Sequence, residues 1–248
     1  MGVNINIGDS WKAVNAIKIN IGDAWKDVIA GWVNISDVWK SLNVPEFSMT
    51  WTSIANATTF IGGDATTVAA WNTFFDLPTN GMTFTGIAIS GEKVTLTGGG
   101  SLLIASLKFL GCSDLLIYQD TRGVTTSVDD GGFYGATGAT SIEMTGFTSS
   151  VSGNGHFNRD FSCTSFKFPA LTYVRNNFFY NCTSATYFDL SSCTSLGDDQ
   201  YDDNVFKNIV GKTITLKIPS ALMTNNGGNP DGDIQTLQAN NTVTIIQV

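Results

Sequence analysis

The one histidine, His156, follows Gly153-Asn154-Gly155 and directly precedes a phenylalanine. Base catalysis would need a nucleophile and an orienting acid in a recognisable pattern, and none surrounds it, so no catalytic residue is assigned. Asp198, Asp199, Asp202 and Asp203 offer hard oxygen ligands, but the glycine and bidentate glutamate of an EF-hand loop are missing. A solvated turn is the expected use, with calcium as the sharper alternative. Cys112, Cys163, Cys182 and Cys193 form no CxxC pair and have a single histidine to join them, which argues against zinc. They read as small buried hydrophobes of a chain made in a reducing compartment, with a disulfide as the other option. Gly91-Glu92-Lys93 lacks the Gly-Lys-Ser/Thr of a phosphate loop and reads as a hairpin turn. Asn-x-Ser/Thr triplets at Asn56, Asn181 and Asn240 matter only in a secreted chain. The expectation is therefore a non-enzyme with no cofactor and no metal.

Two other sets of residues are repeated rather than clustered. Trp11, Trp25 and Trp39 lie 14 residues apart, as do Lys12, Lys26 and Lys40, and Asp9, Asp23 and Asp37. Each copy carries Asn-Ile before a Gly-Asp or Ser-Asp pair, so a strand, a turn and a returning strand bearing the Trp are predicted. One such hairpin buries too little to stand alone in water, so the tryptophans and lysines are expected to serve attachment or oligomerisation. The other reading is a small module whose Trp residues fill its own core.

The second period is longer. Phe109, Phe133, Phe157, Phe179 and Phe206 follow one another at spacings of 24, 24, 22 and 27, three residues after Ser106, Asp130, Asn154, Asn176 and Asp203. The Asn/Asp positions suit turns. Ile142, Phe166, Phe188 and Ile214, and Met144, Phe168, Leu190 and Leu216, are the predicted inward columns of one strand per coil. Because strand side chains alternate faces, Glu143, Lys167, Asp189 and Thr215 form an outward row between them. Unlike charges then neighbour one another, either as a register lock or as a binding face.

Three segments follow from these periods: 1–45, the Trp-Lys hairpin repeats; 46–82, a connector and capping helix; and 83–248, the solenoid with its C-terminal cap. Residues 46–63 read as connector. In the helix, Asp64 or Thr66 is the expected N-cap, Val68, Trp71, Phe74 and Phe75 face inward, and Pro78 and Gly81 end it. At the other end, Asp231 to Leu237 reads as a capped helix and Thr242 to Val248 as a closing edge strand. The fold class is thus mainly β, with short hairpin repeats leading into a parallel β-solenoid.

Composition narrows the partners. Charged residues make up only 14% of the chain against about 25% in an average globular protein, and the net charge is −8. With no basic run interleaved with aromatics, nucleic acid is not an expected partner. No apolar stretch reaches membrane-spanning length and the N-terminus has no leader-like pattern, so neither membrane insertion nor secretion is expected.

The Gly-Asp-x-Trp-Lys segments over about residues 4–42 resemble repeats of bacteriophage structural and tail-fibre proteins. Phe179 to Leu190, with Cys-Thr-Ser recurring at Cys163, Cys182 and Cys193, resembles the BspA-like leucine-rich-repeat family over about residues 83–248, although Phe takes many Leu places. These resemblances imply a fibre- or adhesin-like virion protein, assembled in the host cytoplasm. Other virion proteins and sister chains would meet its N-terminal repeats, with a trimer the expected state. The solenoid would meet a host surface protein or glycan. The alternative they imply is a bacterial cell-surface leucine-rich-repeat interaction protein.

Overall fold

The computed structural model describes residues 46–76, 82–105, 107–129, 131–150, 156–197 and 204–248, together with six backbone strands between residues 3 and 42. The chain divides into two compact units, Met1–Pro45 and Glu46–Val248.

The first unit contains three two-stranded antiparallel hairpins. Val3–Ile7 pairs with Ser10–Val14, Lys18–Ile21 with Ala24–Asp27, and Gly31–Ile35 with Val38–Leu42. The 14-residue period is visible in their register, since Asn6 faces Trp11, Asn20 faces Trp25 and Asn34 faces Trp39. The side chains of Trp11, Trp25, Trp39, Lys12, Lys26 and Lys40 lie outside the described residues.

The second unit is built on one nine-stranded sheet. Six parallel strands run in chain order: Leu115–Asp120, Ser141–Met144, Ser165–Lys167, Tyr187–Asp189, Thr213–Ile218 and Thr242–Gln247. Three antiparallel strands extend the sheet beyond Leu115–Asp120, namely Phe47–Trp51, Lys93–Gly99 and Thr83–Ser90. Shorter parallel ladders form elsewhere in the coils, through Leu102–Ile104, Thr126–Val128 and Phe147–Ser150, and through Tyr173–Val174 and Ser195–Leu196. This is a parallel β-solenoid whose repeat puts equivalent residues of successive coils on top of one another.

The phenylalanine column is a stacked ladder through the core. Ring centroids of Phe109 and Phe133 lie 4.7 Å apart, Phe133 and Phe157 5.3 Å, Phe157 and Phe179 6.0 Å, and Phe179 and Phe206 5.6 Å, all with nearly parallel planes. Each pair contributes about 0.5–1.5 kcal/mol beyond the area it buries. Backbone bonds follow the same stack. Phe109 N–H donates to Gly132 O, Phe133 to His156 O, Phe157 to Phe178 O and Phe179 to Val205 O. Turn amides that cannot pair within their own coil are thereby satisfied by the next.

The start of the solenoid differs from the expectation. Residues 46–63 are not a connector: Phe47–Trp51 is a central strand of the sheet, with Met49 opposite both Tyr118 and Val94. A short helix follows, Ile54–Ile61, capped by Ser53 and closed by left-handed Gly62. It supplies Phe60, whose ring stacks on Phe109 at 6.1 Å and so extends the ladder into the cap. The next helix is Val68–Phe74, and its N-cap is Thr67, which accepts from Ala70 N–H. Asp64 instead orders the preceding turn by accepting from Thr66 N–H and Oγ1. Of the inward residues, Trp71 and Phe75 are fully buried, while Val68 and Phe74 pack against the core from partly buried positions. Pro78 and Gly81 lie outside the described residues.

At the other end, Asp231 caps the helix Gly232–Asn240, which leads into the edge strand Thr242–Gln247. The register of the preceding strand departs from the predicted columns by two residues: Phe188 pairs with Leu216, not Ile214, and Thr215 pairs with Tyr187. The stretch of chain between Leu196 and Thr213 is longer than its counterparts, and alternation keeps both Ile214 and Leu216 inside.

Candidate functional site

The outward row on the long sheet is the first candidate. Pairing places Gln119 beside Glu143, Glu143 beside Lys167 and Lys167 beside Asp189. Its next member is Lys217, not Thr215. The corrected order, Glu143-Lys167-Asp189-Lys217, alternates sign along four strands.

The charges are paired within the row. Lys167 Nζ lies 3.2 Å from Glu143 Oε2 and Lys217 Nζ 3.1 Å from Asp189 Oδ2. Asp189 is also held by Ser191, whose N–H and Oγ both donate to Oδ1. Beside this row runs a second, Ser141-Ser165-Tyr187-Thr215, which carries hydroxyls on consecutive strands. Chemically this face is a self-neutralised strip flanked by hydroxyls, suited to contact more than to proton transfer.

Two further ion pairs lie near the start of the second unit. Arg122 makes a bidentate contact to Asp120, Nε–Oδ1 2.8 Å and Nη2–Oδ2 2.7 Å, with both side chains almost fully buried. Its guanidinium lies 5.0 Å from the Phe47 ring centroid. Lys93 meets Glu46 at 2.6 Å.

The histidine and the four cysteines sit in the core. His156 is fully buried, with Nδ1 3.0 Å from Asp129 O, and its ring packs on Phe178 at 5.1 Å. All four cysteines are buried and free. Burial pushes the Cys193 thiol up to about 12 and raises those of Cys112, Cys163 and Cys182 as well. Thiols held this way are poor nucleophiles. Cys163, Cys182 and Cys193 instead donate to the carbonyls of Ser165, Phe157 and Ser195.

Asp160 was not singled out by the sequence. It occupies the position three after Phe157, where the other coils carry Cys112, Ala136, Cys182 and Ile209. It is fully buried; Oδ1 accepts from Ala136 N–H at 2.9 Å, and Oδ2 has no hydrogen-bond partner among the described residues. Desolvation raises its pKa well above the ordinary carboxylate range. Only its place in a column of otherwise apolar residues could have flagged it.

Among the described residues no group of three or more His, Cys, Asp or Glu could hold a metal ion, and no helix is long and apolar enough to cross a membrane. The acidic turn at 198–203 lies outside the described residues, as do Ser106, Asp130, Asn154 and Asp203 of the turn column. No protein-family model, no curated protein and no solved structure matches the chain.

Proposed function

We propose that this chain is a non-enzymatic structural protein of a bacteriophage virion, fibre- or adhesin-like, that attaches through its N-terminal repeats and presents a leucine-rich-repeat-type solenoid to a host or partner surface. The observation that carries this reading is the division of the chain into two unlike units. One unit is three copies of a single hairpin in the same register, and the other is a large solenoid with its own core. Repeated hairpins with so little area each are suited to repeated contacts with sister chains or a particle. The solenoid, whose sheet-face charges neutralise one another, is suited to display. Particle assembly in the host cytoplasm accords with four unpaired cysteines.

The test is mass spectrometry of purified particles from a culture producing the chain. Stoichiometric recovery in the virion fraction is expected. Recovery on the cell envelope instead would replace this reading with that of a bacterial surface interaction protein.

A further inference from the structure

In every solenoid turn the residue two after the ladder phenylalanine is left-handed: Gly111, Gly135, Arg159, Asn181 and Asn208 have φ of 63°, 67°, 67°, 62° and 67°. The conformation has a cause, because it aims the N–H along the stack. Gly111 donates to Tyr134 O, Gly135 to Asn158 O, Arg159 to Tyr180 O and Asn181 to Lys207 O. Glycine, which has no Cβ to meet the following carbonyl, and asparagine, whose short amide can hydrogen-bond locally, are the residues such a position favours. Arg159 is the exception, and its side chain is exposed rather than filling any part of the core. Strain retained where packing does not require it points to a use for the side chain.

The surroundings narrow that use. The Arg159 guanidinium lies 5.6 Å from the Tyr134 ring centroid, which restricts its motion. Lys93, Arg122, Lys167 and Lys217 each meet a carboxylate, whereas Arg159 and Lys207 meet none among the described residues, in a chain of net charge −8. Lys108, Arg175 and Lys212 also meet no carboxylate among the described residues, but Arg159 and Lys207 are the exposed pair that follows the ladder phenylalanines, two coils apart on the turn side. Half-buried Tyr180 lies on the coil between them, and Asn208 Nδ2 donates to Asn181 Oδ1 beside them. The turn side therefore offers, coil after coil at about 4.8 Å, an aromatic ring, a guanidinium fork, a second ring with an amide, and an ammonium with an amide. A guanidinium fork matches a carboxylate, half-buried tyrosine rings match the C–H faces of pyranoses, and amides match hydroxyls.

From this we infer that Tyr134, Arg159, Tyr180, Asn181, Lys207 and Asn208 form a binding site for a carboxylated linear glycan laid across the coils. The site is separate from the sheet face and goes beyond virion membership, so it stands or falls whether or not the chain enters a particle.

The test is calorimetric titration of the full chain with hexagalacturonate, a hyaluronan hexasaccharide and a sialic-acid tetramer, with maltohexaose and hexaglutamate as comparisons. At least one carboxylated glycan should bind, more weakly as salt rises, and neither comparison should match it. Arg159→Asn installs the residue found in the next two coils, so Tm should rise by about 2–4 °C while affinity falls tenfold or more. Arg159→Lys keeps the charge and the strained backbone but loses the fork, so affinity should fall with Tm unchanged. The inference is overturned if no carboxylated glycan binds, if maltohexaose binds equally, or if hexaglutamate binds better, which would make the surface one for acidic peptides. Unchanged affinity in Arg159→Asn, or a lower Tm, would also overturn it.

Discussion

Asp189 and Lys217 occupy the same register position on neighbouring parallel strands, and their side chains meet at 3.1 Å. The pair lies across the coil junction where the repeat length changes, so it marks the register that the last full coil adopts. Lys217→Met should lower stability by about 0.5–1 kcal/mol, the range for a partly exposed ion pair whose acid keeps other partners. Thr215→Val, on the neighbouring row, should stay within about 0.5 kcal/mol. Urea unfolding of both variants checks the register: a larger effect at Thr215 than at Lys217 would be inconsistent with it.

Phe157 is the mid-point of the ladder and touches the rings of Phe133, Phe166, Phe168, Phe178 and Phe179. Phe157→Asp should abolish cooperative unfolding, because a carboxylate would be buried among rings that cannot hydrogen-bond it. Phe157→Leu keeps an apolar side chain and should cost about 1–2 kcal/mol. Circular-dichroism melts distinguish these outcomes, and an Asp variant melting within a few degrees of the parent would show that the ladder is not a core element.

Asp160 links stability to pH. Its folded pKa is raised, so the favourable contribution of the protonated form is complete below the unfolded value of about 3.9 and is lost as pH rises through the folded value. At neutral pH the buried carboxyl is therefore a net liability. Asp160→Asn, which retains an acceptor for Ala136 N–H, should be more stable than the parent at pH 8, and the gap should narrow on acidification to pH 4. Denaturant melts at both pH values measure it. Comparison with the Asn variant cancels contributions from Cys163 and Cys182, and a gap independent of pH would contradict the assignment.

A chain beginning at Glu46 should retain the solenoid, since Glu46–Val248 forms a compact unit containing the whole described core. If the repeats are the assembly element, this chain should sediment as a monomer while the full chain sediments as an oligomer. Sedimentation velocity at several concentrations decides it. Equal oligomers would assign assembly to the solenoid instead, whereas a monomeric full chain would leave docking to a particle as the role of the repeats.

By itself the sequence determined the 14-residue hairpin period, the phenylalanine ladder, the Glu143-Lys167-Asp189 row, the C-terminal helix and the closing strand. All of these follow from side-chain type at fixed spacing, and a parallel solenoid turns equal spacing into direct contact. The strand at Phe47–Trp51 was hidden because it belongs to no repeat and its partners, Leu115–Asp120 and Lys93–Gly99, are distant in sequence. The Asp189–Lys217 register was hidden too, since the stretch between Leu196 and Thr213 is longer than its counterparts and strand alternation lets either Ile214 or Leu216 follow Phe188. Burial of His156 and Asp160, and the left-handed column through Arg159, were decided only when coils stacked. A turn's conformation there is set by hydrogen bonds to the next coil, and those exist only in the tertiary structure.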